Sequence, residues 1–91
     1  MASNFRIRCE KKGANLHVKL YGDFDGCSAH LLIRLLEKRS AKFETISVHS
    51  KGLKTVFPFG QAVFLSSLRP IRAKVKSMVF EGPLAERLAT G

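Results

Sequence analysis

The sequence predicts a small α/β fold: a mixed four-stranded sheet in the order β-β-α-β-α-β-α, with the helices on one face. Three observations carry that expectation. Residues 5–10, 16–21, 45–49 and 72–80 alternate apolar and polar side chains, the two-residue period of a half-buried strand. Residues 28–39 and 59–68 place apolar side chains at helical spacing. The run Leu20-Tyr21-Gly22-Asp23-Phe24-Asp25-Gly26-Cys27-Ser28-Ala29 joins the two patterns through a glycine, two acids and a small-polar stretch. With 91 residues, 45% hydrophobic and 25% charged, the chain is expected to form one globular domain over 1–91.

Each element has a local reason. Phe5, Ile7 and Cys9 share one parity of the first strand, and Leu16, Val18 and Leu20 one parity of the second. Between them Lys11-Lys12-Gly13-Ala14-Asn15 predicts a hairpin loop, since Gly13 and Asn15 tolerate positive φ. In the first helix Ala29, Leu32, Leu35 and Leu36 fall on one side with Leu31 beside them. Asp25 or Ser28 is placed to cap its first turn. Thr45-Ile46-Ser47-Val48-His49 is the third strand, and residues 50–58 read as a loop. Pro58 suits a first helical turn, and Pro70 is expected to end the second helix. The fourth strand is expected over 72–80, and Gly82 and Pro83 introduce a short terminal helix.

The parity of the strands predicts a one-sided sheet. Phe5, Ile7, Cys9, Leu16, Val18, Leu20, Ile46, Val48, Ala73, Val75 and Val79 are expected to face the helices. Arg6, Arg8, His17, Lys19, Tyr21, Thr45, Ser47, His49, Lys74, Lys76 and Met78 are expected to face outward. The formal net charge is +9, so nucleic acid, anionic lipid and acidic protein are the natural partners of such a field. Arg6, Arg8, His17, Lys19, Lys74 and Lys76 are the candidate anion-binding residues. Only Tyr21 and Met78 accompany them, which argues for phosphate or acidic contact over base reading.

Other chemistry is thinly represented. Cys9 and Cys27 form no framework and no Cys-x-x-Cys pair, so both are read as reduced thiols. No apolar run approaches the ~20 residues of a membrane span, and residues 1–6 have no apolar signal core. The reading is a soluble cytoplasmic protein without stable membrane insertion. His17, His30 and His49 are scattered and lack a third ligand partner for zinc. No phosphate loop or nucleophile elbow occurs. No enzyme activity, cofactor or metal is expected.

The order of elements and the pattern Gly22-x-Phe24-Asp25-x-x-Ser28-Ala29-x-x-Leu32 resemble the STAS-like family of sulfate-transporter and anti-sigma-factor-antagonist domains. In that family a Gly-x-Leu-Asp-x-x-Ser/Thr-Ala junction precedes the first helix. The resemblance implies a bacterial, non-enzymatic regulatory module that binds a protein partner, such as an anti-sigma-type kinase, a regulator or a transporter subunit. It places the partner surface at Asp25, Ser28, Phe57, Phe59 and Gly60. Relatives controlled by phosphorylation carry Asp-Ser/Thr-Ser/Thr-Gly at the second helix start. Here the matching run is Phe57-Pro58-Phe59-Gly60, which keeps the glycine and lacks the acid and both hydroxyls. No phosphorylation is therefore expected there. Phe57 and Phe59 either pack inward, as most phenylalanines do, or anchor the partner. The alternative function is a nucleic-acid-binding module using the basic sheet face, and a weaker one is a membrane-surface adaptor.

Overall fold

The computed structural model describes residues 5–89. Residues 1–4, part of the stretch read above for a signal core, and residues 90–91 lie outside the described residues. The elements are β1 (Arg6–Lys12), β2 (Asn15–Phe24), α1 (Gly26–Arg39), β3 (Thr45–Val56), α2 (Pro58–Arg72), β4 (Ser77–Glu81) and α3 (Ala85–Ala89). The four strands lie side by side in chain order. β1 runs antiparallel to β2, and β2, β3 and β4 are parallel. The expected mixed α/β sheet and its element order are thus present.

The first hairpin is tighter than its sequence suggested. Lys12 pairs with Asn15, leaving a two-residue turn in which Gly13 takes φ +60°. A side chain at that φ would be strained, which is why glycine stands there. Leu16, Val18, Leu20 and Phe24 of β2 and Ile46 and Val48 of β3 form the floor of the core. Ala29, Leu32, Ile33 and Leu36 of α1 and Phe64, Leu68 and Ile71 of α2 close it from above. An edge-to-face series of rings runs through it: Phe5–Phe24 at 5.8 Å, Phe24–Phe64 at 5.6 Å and Phe64–Phe80 at 6.2 Å. Such offset geometry suits the quadrupole of each ring and fills volume without tryptophan.

Several expectations need correction. Ile33, not Leu31, completes the buried stripe of α1, because residues 29, 32, 33 and 36 follow the i, i+3, i+4, i+7 spacing. Leu31 is left exposed. β3 continues to Val56 through the segment read as a loop. Two register shifts against β2, between Lys19 and Tyr21 and between Gly22 and Asp23, each give β3 an extra residue. Those bulges reset its alternation: Ile46, Val48, Ser50, Leu53 and Val56 are buried.

α2 passes through Pro70 to Arg72, because Ile71 extends the buried face that Phe64 and Leu68 begin. The longer helix displaces β4. Lys74 and Lys76 lie in the connection before it and not on the sheet, and the outward position expected for them is wrong. Ala73 and Val75 are likewise off the strand. The parity of β4 is also reversed. Met78 pairs with Ile46 and Phe80 with Val48, so both join the core side, while Val79 pairs with Ser47 and faces out. Ser47 does lie on the outward face between His17 and Val79, yet it is buried there. Cys9 pairs with Val18 and so lies on the helix side, but it stays exposed at the sheet edge. Partial desolvation against the helix side pushes its thiol pKa up, with Arg39 opposing. Among the described residues no helix is long and apolar enough to cross a membrane.

Candidate functional site

The ends of β2 and β3 bring the starts of α1 and α2 together. Phe57 N–H donates to the Phe24 carbonyl at 2.9 Å, extending the ladder one step beyond the strands. Asp25 follows Phe24 as the N-cap of α1. Its Oδ1 accepts from Ser28 N–H at 2.9 Å and lies 2.9 Å from Ser28 Oγ, whose other acceptor is the Asp23 carbonyl at 3.0 Å. This cap satisfies a backbone donor that the helix leaves unpaired. The Ser28 backbone N–H is the main cause holding the Asp25 carboxyl below the ordinary aspartate range. Of the two capping residues the sequence offered, Asp25 is the cap, and Ser28 is a buried brace beneath it.

α2 begins differently. Its N-cap is Phe57, which offers no side-chain acceptor, and Pro58 fills the first helical position. Gly60 sits directly against α1: a Cβ there would meet the Asp25 carbonyl carbon at 2.6 Å and the Phe24 carbonyl oxygen at 2.8 Å. Glycine at this position lets two helix starts approach closer than any side chain would allow. A Cβ at Gly26 would in turn meet the Phe59 ring at 2.7 Å, so that ring lies against the bare backbone of α1. Phe59 is nevertheless 72% exposed and Phe57 45% exposed. Both alternatives for these rings were open in the sequence, and the structure places both at the surface. Asp25, Ser28, Phe57, Phe59 and Gly60 are therefore neighbours at one end of the sheet.

The candidate anion-binding residues divide. Arg6, Arg8, His17 and Lys19 share the outward sheet face, with Arg6 opposite Tyr21, Arg8 opposite Lys19 and Glu10 opposite His17. Lys74 and Lys76 are elsewhere, and Lys76 lies 3.5 Å from Glu44. Lys19 pairs with Glu10 at 3.1 Å, and that hydrogen bond holds the Glu10 carboxyl low. His17 and His49 stack at 5.3 Å, with Nδ1 of the first 3.1 Å from Nε2 of the second. One nitrogen must donate and the other accept. Among the described residues no group of three or more His, Cys, Asp or Glu gathers to hold a metal ion.

Sequence reasoning did not single out Gly26, Lys51, Gly52 or Lys54. Gly26 had a signal, a glycine beginning a helix, where that residue is costly unless something needs the space. Gly52 and Lys54 reach the outward side only through the bulges of β3, which alternation does not reveal, whereas Lys51 lies two residues past His49 in the segment read as a loop.

No family model matches the chain, and a search of the curated proteins finds no match. Solved structures do match. One titled the anti-sigma factor antagonist SpoIIAA in its unphosphorylated form has a TM-score of 0.67 at 13% identity, covering 93% of this chain and 80% of that one. An anti-sigma factor antagonist from Mycobacterium paratuberculosis has a TM-score of 0.68 at 14% identity, covering 91% and 73%. A structure titled Mglu reaches a TM-score of 0.75 at 16% identity over 84% of this chain, which spans only 19% of the Mglu chain. At these identities the likeness is one of fold, and the fold of this chain is STAS-like, as in the anti-sigma factor antagonists.

Proposed function

We propose that the chain is a non-enzymatic, STAS-like regulatory module that docks a protein partner at the paired helix starts, without control by phosphorylation at the start of α2. The observation that carries this reading is the exposed Phe59 ring laid over Gly26, beside the half-exposed Phe57. Two surface aromatics on rigid helix starts resemble the anchors that dominate interface energies. The fold neighbours described as anti-sigma factor antagonists support a regulatory role. The family resemblance offers an anti-sigma-type kinase, a regulator or a transporter subunit as the class to test here. Pro58 and Phe59 carry no hydroxyl. Thr55 is the nearest one, and it belongs to β3 and not to the helix start.

The test is capture from nuclease-treated lysate of the source cells, comparing the wild type with Phe59→Asp and Lys74→Glu/Lys76→Glu. The reading expects a protein retained by wild type and by the lysine variant and lost with Phe59→Asp, as a hot-spot loss of ~2 kcal/mol or more implies. Equal capture by Phe59→Asp, with its folding verified by circular dichroism, overturns the docking surface. Phosphate mapped to Thr55 in cells overturns the absence of a phosphorylation switch.

A further inference from the structure

The outward face of the sheet carries a second feature, independent of the helix starts. Two grooves meet there. One is bounded by Arg6, Arg8, Tyr21, Gly22, Gly52 and Lys54, and the other by Lys19, Tyr21, His49, Lys51 and Gly52. Tyr21 and Gly52 belong to both, so the grooves form one band across β1, β2 and β3. Cations stand on both sides of it: Arg6 and Arg8 from β1, Lys51 and Lys54 from β3. All four are exposed, and none has an acidic partner among the described residues.

The centre of the band is built around an aromatic ring. Tyr21 pairs with Gly52 across the bulge, and a Cβ on residue 52 would run into Tyr21 Cδ1 and Cε1. The absent side chain lets the ring lie down on the sheet, where it walls both grooves. Lys51 follows His49 by ordinary alternation, and the bulges add Gly52 and Lys54 to the same side, leaving one lysine in each groove. A regular strand would not give that spacing of charges around one ring.

From this arrangement we propose that the band binds single-stranded nucleic acid, with Tyr21 as the stacking platform for one base and Arg6, Arg8, Lys51 and Lys54 on the flanking phosphates. The chemistry fits on three counts. Every base has a π-face, so a single ring held flat gives stacking that tolerates sequence. Guanidinium forks match phosphate oxygens, and ammonium groups serve as point charges. A net charge of +9 supplies the long-range attraction. A duplex presents no unstacked base to one ring lying in the surface, so the single strand is the favoured form. The site shares none of its residues with the helix starts, and its test stands or falls apart from that of the protein-docking reading.

The experiment is fluorescence anisotropy of a labelled twelve-residue oligo-uridine and oligo-thymidine with the whole chain at ~50 mM salt. Four phosphate contacts on a single strand give a log–log salt slope of about −3. Arg6→Glu/Arg8→Glu should roughly halve that slope. Lys51→Glu/Lys54→Glu should do the same from the other side. Tyr21→Ala should weaken binding by about tenfold to a hundredfold, and Tyr21→Phe should keep it. All five positions lie outside the buried core, and circular dichroism checks each variant. Absence of binding, unchanged affinity in the charge-reversed variants, or equal affinity for Tyr21→Ala overturns the proposal. So does equal binding to a heparin oligosaccharide or to vesicles of anionic lipid, polyanions that offer no base.

Discussion

Replacing Gly60 by alanine should destabilise the protein, against the usual sign for that change in a helix. Glycine within a helix costs about 1 kcal/mol relative to alanine, so propensity alone predicts a gain. The added methyl would lie 2.6 Å from the Asp25 carbonyl carbon, 2.7 Å from its oxygen and 2.8 Å from the Phe24 oxygen. Carbon atoms normally rest ~3.5–4.0 Å apart, so the start of α2 must retreat by roughly 1 Å. The atoms in its way are backbone, fixed by the cap of α1 and by the end of β2, and they do not rotate aside. Overpacking of this kind costs ~1–3 kcal/mol, which exceeds the propensity gain over most of that range. Urea denaturation should show a lower midpoint with an unchanged slope, and thermal melting should fall by ~4–8 °C per kcal/mol lost. Gly26→Ala is the control. Its methyl would meet only the Phe59 ring, which is 72% exposed and free to swing out, so stability should hold or rise. A Gly60→Ala protein as stable as the wild type would refute the close approach of the two helix starts.

Two further outcomes follow from the caps and the proline. Asp25→Ala should cost ~0.5–2 kcal/mol at neutral pH. Because Ser28 holds the Asp25 carboxyl low, the contribution of its charge is complete above the ordinary aspartate value of ~3.9. It is lost as pH falls through the folded-state value, so the gap between wild type and Asp25→Ala should narrow in acid. A gap that widens below pH ~3.9 would contradict the cap. Pro70→Ala should stabilise the protein by roughly 2–2.5 kcal/mol. It restores a hydrogen bond in α2 and removes a ring clash that together cost ~3 kcal/mol, less the ~0.4–1 that proline saves in the unfolded chain. A calorimetric midpoint that does not rise would argue against a helix continuous through Pro70.

The fold was legible in the sequence because its periods are clean where the chain is regular. Leu16, Val18 and Leu20 alternate without interruption, and the Gly22–Ala29 junction marks where a strand yields to a helix. Legibility fails where a tertiary demand overrides a local rule. Residues 50–56 lose their alternation because two extra residues are absorbed into bulges, and an interrupted period is indistinguishable from a loop. Pro70 reads as a stop, yet the burial of Ile71 against the core outweighs one missing hydrogen bond. The resulting shift of β4 inverted the parity of Met78 and Val79. At the helix starts, sequence named Phe57, Phe59 and Gly60 but not why they belong together. The reason is the bare backbone of Gly26 under one ring and the contact of Gly60 with Asp25, both of which are distances between segments some thirty residues apart.

The hydroxyl of Ser50 bears on how the chain completes itself during synthesis. Ser50 Oγ donates to the Glu81 carbonyl at 2.9 Å and accepts from Leu84 N–H at 3.2 Å, within a fully buried side chain. Until residues 81–84 are in place, the hydroxyl has only water to bond, and docking that segment exchanges the water for two buried protein hydrogen bonds. The hydroxyl thus acts as a latch that closes when residues 81–84 dock. Any nascent chain stalled before that point keeps the outer edge of β3 unpaired and open to pairing with a neighbouring strand.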